Sequence, residues 1–260
     1  MKAELISTVF LSEKRKKALL MLTEGPATID EIKNSLTGTA SAIMAQIKIL
    51  IEQGLIEQKD EKYQLTHTGK IILKKIKPLV ETLNVLEGNK GYWDSRDLSA
   101  VPEDLLYRIG DLGEVKVLEP DLNHLFEPPK ELSDSLKQSE AVRSLYTYFC
   151  PACPADYSDL AMRGTEFELI ITRSVYKRFE DDYRSDYNAI IEAENSNVYV
   201  CEDDILKIGA LSVTDDLIHI VFFTKEGTWD HKKAISFDCS ARQWCSELFE
   251  IYKKSAEKIS

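Results

Sequence analysis

The sequence predicts two domains of different class: a compact helical one carrying a two-stranded hairpin over residues 1–70, and a larger α/β one over residues 89–260, with a helix over 71–88 between them. Three observations predict it. At 260 residues and 43% hydrophobic content, the chain has material for about two cores. Its first part reads as short capped helices followed by alternation, and its later part as apolar strand-like runs among helical patterns. Charge is divided the same way. Positions 1–70 hold ten basic and nine acidic residues, so this block stands at +1 and the remainder at −12 in a chain of formal net charge −11.

Each element of the first block has a local cause. Ser12 is placed to cap a helix running to about Leu22, with Glu13 in its first turn, and Gly25-Pro26 stops it. Thr28-Ile29-Asp30-Glu31 spells a capping box that opens a short helix to Leu36. Thr39 caps a third helix, in which Ile43, Ile47 and Leu50 recur at i, i+4 and i+7, and Gly54 ends it. Residues 55–59 and 63–66 alternate around Asp60-Glu61-Lys62, which predicts a hairpin. Leu65-Thr66-His67-Thr68-Gly69-Lys70 then launches a helix with Ile72, Leu73, Ile76, Leu79, Val80 and Leu83 on one stripe. A stripe leaving so small a domain is most simply covered by its twin in a homodimer.

Helix, capped helix, capped helix and hairpin, in that order, make a winged helix-turn-helix, with residues 39–53 as its recognition helix. Thr39, Ser41, Ala42, Ala45, Gln46 and Lys48 fall near the outward N-terminal half of that helix. Small side chains let a backbone approach a groove, a glutamine amide pairs with adenine, and a lysine suits a phosphate. Lys59 and Lys62 are the matching phosphate contacts on the wing, although Asp60 and Glu61 beside them work in the opposite direction. A polyanion is repelled by the acidic remainder and tolerated by the near-neutral head, so double-stranded DNA is the expected partner.

From Asn89 onward the composition shifts toward aromatics and proline. Residues 119–131 read as a surface loop, and residues 166–172, 197–201, 210–214 and 217–223 as strands, the last two paired across Asp215-Asp216. Helical patterns over 173–193 and 241–258 flank them, the second with Trp244, Leu248, Phe249 and Tyr252 on one face. Strands alternating with helices imply an α/β sheet.

Four groups of residues in this body carry chemistry. Tyr92, Trp93, Arg96 and Asp97 follow Gly88 and Gly91 and suit a small effector, the rings stacking and the charged groups taking its polar ends; the alternative is a hinge with Trp93 in a core and Arg96 paired to Asp97 or Asp94. Arg173 directly follows a buried-looking strand, where α/β folds place ligand contacts, yet a solvated helix face explains its neighbours equally. Cys150-Pro151-Ala152-Cys153 has the spacing for a metal or a small disulfide, set against buried, idle thiols. His231-Lys232-Lys233 with Asp238 is a single His-x-Lys-x4-Asp, a pattern that phospholipase D-type phosphodiesterases use in two copies. No second copy begins at His67, His124 or His219, so a phospholipase D-like sheet without catalysis is expected.

Two stretches resemble known families. Ser12-Glu13-Lys14-Arg15, Gly25-Pro26, Gly54-Leu55-Ile56 and Leu65-Thr66-His67-Thr68-Gly69-Lys70 resemble the head of archaeal ArsR-like winged-helix regulators. The run Gly91-Tyr92-Trp93-Asp94-Ser95-Arg96-Asp97-Leu98-Ser99-Ala100-Val101-Pro102, with Arg108-Ile109-Gly110-Asp111-Leu112-Gly113, resembles the body of methanogen regulators that carry a methanogenesis regulatory protein middle domain. The resemblance implies a dimeric transcription factor controlled by an effector bound to its body. No apolar run approaches the roughly 20 residues of a membrane span, and the N-terminus lacks an export signal, so a cytoplasmic location is expected. Five cysteines, an odd number, argue for reduced thiols. The sequence offers no Gly-rich phosphate loop, and no catalytic residue, resident metal or cofactor is expected.

Overall fold

The computed structural model describes residues 4–259 and divides into two compact units, Met1–Val80 and Glu81–Ser260. The division falls inside a helix, His67–Gly88, rather than at the ends of a separate linker.

Unit 1 runs α1 (Glu4–Phe10), α2 (Glu13–Met21), β1 (Ala27–Thr28), α3 (Ile29–Ser35), α4 (Ala40–Glu52), β2 (Ile56–Lys59), β3 (Lys62–Leu65) and the start of α5 (His67–Gly88). The caps are those the sequence predicts. Ser12 Oγ accepts from the Arg15 amide, Thr39 Oγ1 from the Ala42 amide, and Thr28 with Glu31 forms the full reciprocal box. The hairpin pairs Ile56 with Leu65 through Lys59 with Lys62, and Asp60 and Glu61 at its tip both take positive φ (49° and 63°). Two features are additional to the sequence reading: α1, and the short strand β1, which pairs with β3 to give a three-stranded sheet in the order β1-β3-β2.

Thr66 fastens the hairpin to the helix that follows. Its hydroxyl donates to the Gly54 carbonyl (2.6 Å) and accepts from the Gly69 amide (3.0 Å). A side chain at position 69 would collide with the Leu55 carbonyl oxygen, so the Leu-Thr-x-x-Gly spacing encodes a close backbone approach. Leu19, Ile32, Ile43, Ile47, Leu50, Leu55 and Leu73 fill the core.

Unit 2 continues with α6 (Lys90–Trp93), α7 (Glu103–Leu106), a 3-10 turn at Ile109–Leu112, β4 (Lys116–Leu118), α8 (Lys130–Gln138), β5 (Ala141–Tyr146), α9 (Cys153–Arg163), β6 (Glu166–Thr172), α10 (Arg173–Asp182), α11 (Arg184–Glu192), β7 (Ser196–Cys201), β8 (Ala210–Val213), β9 (Ile218–Val221), β10 (Lys233–Ser236), α12 (Cys239–Lys253) and β11 (Glu257–Lys258). The strands form one mixed sheet in the order β11-β7-β6-β5-β8-β9-β10-β4. β5, β6 and β7 are parallel, while β8, β9 and β10 run antiparallel from β5 outward.

Helices cover both faces. Trp244, Leu248 and Phe249 of α12 pack with Trp93, Leu105 and Leu112 on one, and Leu132, Tyr157, Leu160, Phe179 and Ile190 of α8 to α11 pack on the other. Every residue of β8, β9 and β10 is consequently buried, and these strands show no alternation.

The central strand β5 has no counterpart among the strands expected from sequence, because Arg143 and Ser144 interrupt its apolar run, AVRSLY. Two expectations are corrected. The pattern over 173–193 is two helices, broken at Tyr183. The pattern over 241–258 ends as a helix at Lys253, after which Glu257–Lys258 returns as an edge strand beside β7.

Candidate nucleic-acid interface and the residues of the body

The residues proposed to meet DNA are distributed over unit 1 as follows. Thr39, Ser41, Ala45 and Lys48 are exposed on α4, together with Met44, and Ala42 is half-buried at the edge of the same face. Ala40, Ser41, Met44, Ala45 and Lys48 give the N-terminal two turns a surface without a carboxylate; the first acidic group is Glu52, whose oxygen lies 3.9 Å from Lys48 Nζ. Lys59 and Lys62 face each other across the last pair of the hairpin and are exposed.

Gln46 is a correction. It does not stand on the free face but is half-buried, with its amide oxygen accepting from Arg15 Nη1 (2.8 Å) and Ser12 Oγ (3.3 Å). Arg15 also donates through Nε and Nη2 to the carbonyls of Thr8 and Ser7, so Gln46 belongs to a fastener joining α1, α2 and α4. Sequence spacing places Gln46 only one helical step from the exposed face, and Arg15, 31 positions away, decides which way it turns.

The long stripe of α5 is also redistributed. Leu73 and Val80 are buried, Ile72 and Ile76 half-buried, whereas Ile71, Leu79 and Leu83 are exposed at multiples of four residues.

In unit 2 the proposed effector loop is turned inward. Tyr92 and Trp93 are buried and meet edge to face, and Trp93 also packs on Phe222. Arg96 is 2% exposed and fully engaged. Its guanidinium pairs bidentately with Asp230 (2.8 Å from Nη1), donates to the Phe222 and Tyr92 carbonyls, and lies over the Tyr92 ring. Burial works against the Asp230 carboxylate, but the hydrogen bonds and charge of Arg96 outweigh it and hold its pKa below the usual value. Asp97 accepts from the Ser99 amide as the head of a local turn. The rings, the cation and the turn carboxylate are thus committed to the fold. Arg173 is likewise occupied, reaching Glu202 at 3.4 Å and Glu257 at 3.6 Å.

The His-x-Lys-x4-Asp residues are brought to three separate jobs. His231, at φ 62°, packs against Trp229 (4.2 Å) and the edge of Phe126 (5.6 Å); Lys233 donates to the Glu127 carbonyl; Asp238 accepts the Glu114 amide (2.6 Å). His231 and Lys233 do share a cavity of about 560 Å³ with Glu119, His124, Lys130 and Lys137. Beside Lys233 on the same sheet face lies His219, whose two ring nitrogens have no partner among the described residues. Burial first, and the Lys233 charge second, push its pKa down to about 3, so it is neutral.

The thiols divide by environment. Cys201 and Cys245 are buried and burial raises their pKa, to about 11 for Cys201. Cys239 is exposed. Cys150 and Cys153 lie together at the start of α9. No group of three metal-ligating side chains is present among the described residues, so the metal reading of this pair finds no further ligand.

Against known proteins, residues 3–84 match the family described as "Methanogenesis regulatory protein FilR1, N-terminal domain" and residues 125–255 match "Methanogenesis regulatory protein FilR1, middle domain". The chain is 23% identical over 253 residues to "Methanogenesis regulatory protein FilR1" of Methanothrix harundinacea (strain 6Ac), an alignment covering 95% of this chain and 56% of that one. It therefore spans about half the length of the curated relative it matches. A solved structure titled "Structure of TrmBL2, an archaeal chromatin protein, shows a novel mode of DNA binding" superposes with a TM-score of 0.45 at 15% identity, over 98% of each chain. No helix among the described residues is long and apolar enough to cross a membrane. With one family model covering the N-terminal unit and another half of the whole chain, this protein belongs to the methanogenesis regulatory protein FilR1 family.

Proposed function

We propose that this chain is a DNA-binding transcriptional regulator whose unit 1 is a winged helix-turn-helix. The observation that carries the reading is the exposed, carboxylate-free face of α4, formed by Thr39, Ser41, Ala45 and Lys48, together with the exposed hairpin lysines Lys59 and Lys62, in a chain otherwise strongly acidic. Ala42 completes the close-approach surface. Reading of bases falls to Ser41 and to backbone fit, because Gln46 is held by Arg15. The family name, a methanogenesis regulatory protein, supports the same role.

The reading includes a homodimer and a regulatory body. Ile71, Leu79 and Leu83 form the apolar row on α5 that a second copy would cover. The cavity carrying His231 and Lys233 replaces the Tyr92–Asp97 loop as the effector site, since its size suits a small polar ligand and its lysine ammonium is held by a carbonyl rather than a carboxylate.

The experiment is equilibrium binding of the full chain to duplex fragments of its own promoters across a salt series. Affinity should fall linearly on a log–log plot, and Lys48→Ala, Lys59→Ala and Lys62→Ala should each lower the slope by about 1. Gln46→Ala should leave base preference unchanged and reduce thermal stability instead. Absence of binding in dilute buffer, or a slope indifferent to all three lysines, rejects the interface.

A further inference from the structure

The loop leaving β5 is a tight turn, Cys150-Pro151-Ala152-Cys153, closed by the Cys153 amide donating to the Cys150 carbonyl at 3.1 Å. A turn of this kind holds its first and fourth Cα atoms within about 7 Å, the reach of a disulfide. Both side chains lie in one buried cluster at the N-terminus of α9, and the Cys150 thiol donates to the Phe126 carbonyl at 3.8 Å. The N-terminal end of an 11-residue helix favours negative charge there.

A buried cation completes the arrangement. Lys233, nine-tenths buried, bonds the Glu127 carbonyl, while Cys150 touches the adjacent Phe126 carbonyl at 3.8 Å, so thiol and ammonium are moored to successive residues of one exposed strap. Burial works against the Lys233 ammonium and lowers its pKa, while the charge of a Cys150 thiolate works the other way. None of the other three cysteines has such a setting. Cys201 and Cys245 have burial acting against their thiolates, and Cys239 is exposed on the first turn of α12.

We propose that Cys150 and Cys153 are a reactive dithiol, with Cys150 the nucleophile and Cys153 the resolving thiol, that hydrogen peroxide oxidises to an intrachain disulfide. The site goes beyond the DNA-reading function and does not rest on it. Cys150 thiolate attacks one peroxide oxygen; the O–O bond breaks, a sulfenic acid forms and hydroxide leaves. The Cys153 sulfur then attacks the sulfenic sulfur, the S–O bond breaks, and both departing oxygens leave as water after taking up the thiol protons. Two thiols lose two electrons and hydrogen peroxide becomes two waters.

The test uses the full-length reduced protein treated with stoichiometric hydrogen peroxide, then alkylated and mapped by mass spectrometry. The Cys150–Cys153 disulfide should form in full before Cys239 is oxidised at neutral pH. Cys153→Ser should stop at a sulfenic acid on Cys150 that dimedone traps, and Cys150→Ser should leave Cys153 free. Recovery of both thiols alkylated after Cys239 has been oxidised overturns the proposal.

Should either variant fail to fold, the wild-type rate decides alone. The groups facing Cys150 are Cys153 and Asp156 of α9, Tyr146 and Tyr148 of the β5 end, and Lys233 of β10. With the Cys153 hydrogen bond outweighing burial, the Cys150 pKa is lowered to about 7. The rate should therefore rise up to about pH 7 and level above it. Continued rise past roughly pH 8.5, the behaviour of an ordinary thiol, overturns the assignment.

Discussion

Arg96 shows how a single residue changes meaning with its surroundings. In sequence it stands among aromatics and carboxylates and suits a ligand; in the fold its partner is Asp230, 134 positions away, and it closes the loop after α6 onto the end of β9. Removing one member of a buried pair leaves the other uncompensated. Asp230→Ala should destabilise unit 2 by about 3 kcal/mol in urea unfolding, the lower end of the range because the Asp230 side chain is 29% exposed. Arg96→Met in that background should recover much of the loss. A double variant no more stable than Asp230→Ala would show that the guanidinium has a role other than pairing. Because the Asp230 pKa is depressed, its contribution is present above its ordinary value of 3.8 and is lost as pH falls through the lower folded value.

At the scale of elements, the caps and turns of unit 1 were legible because their causes are within four residues. Ser12, Thr28 with Glu31, Thr39 and Thr66 each act on an amide three positions on, and each does so in the fold. The strand β1 and the helix α1 were not legible: two residues paired with β3 depend on a remote edge, and α1 carries three exposed apolar side chains, Leu5, Ile6 and Phe10. In unit 2 the buried strands β8 and β9 announced themselves by apolar runs, whereas β5, with Arg143 and Ser144 inside, did not. The tip of the β2–β3 hairpin holds a local cost. Asp60 and Glu61 both occupy the left-handed region, which a non-glycine residue enters at about 1 kcal/mol. Glu61→Gly should therefore raise the midpoint of thermal unfolding by an amount equivalent to about 1 kcal/mol, and by removing a wing carboxylate should tighten DNA binding in dilute buffer. A lowered midpoint would mean that the Glu61 side chain contributes more than its backbone costs.

At the scale of the molecule, two cores and an uneven charge distribution set the behaviour. Unit 1 keeps its own buried cluster from Val9 to Leu73, and unit 2 closes both faces of an eight-stranded sheet. The exposed α5 row then becomes the candidate for self-association. Leu79→Glu with Leu83→Glu should convert a sedimenting dimer to monomer without loss of helix by circular dichroism. DNA affinity should fall with it, since two half-sites would no longer be bound as one. An unchanged sedimentation profile would place the dimer contact elsewhere, or remove the dimer.

The amino-acid sequence alone determined the two-part organisation, the capped helices and hairpin of unit 1, and the segregation of negative charge into the rest, because each follows from short-range chemistry or simple counting. Tertiary structure decided which side chains are free to meet a ligand. Gln46, Tyr92, Trp93 and Arg96 were taken inward by residues far along the chain, while Cys150, Cys153 and Lys233 were drawn together from the end of β5, the start of α9 and β10. Strand order and register are long-range pairings that no window of neighbouring residues contains, and they fix what faces what.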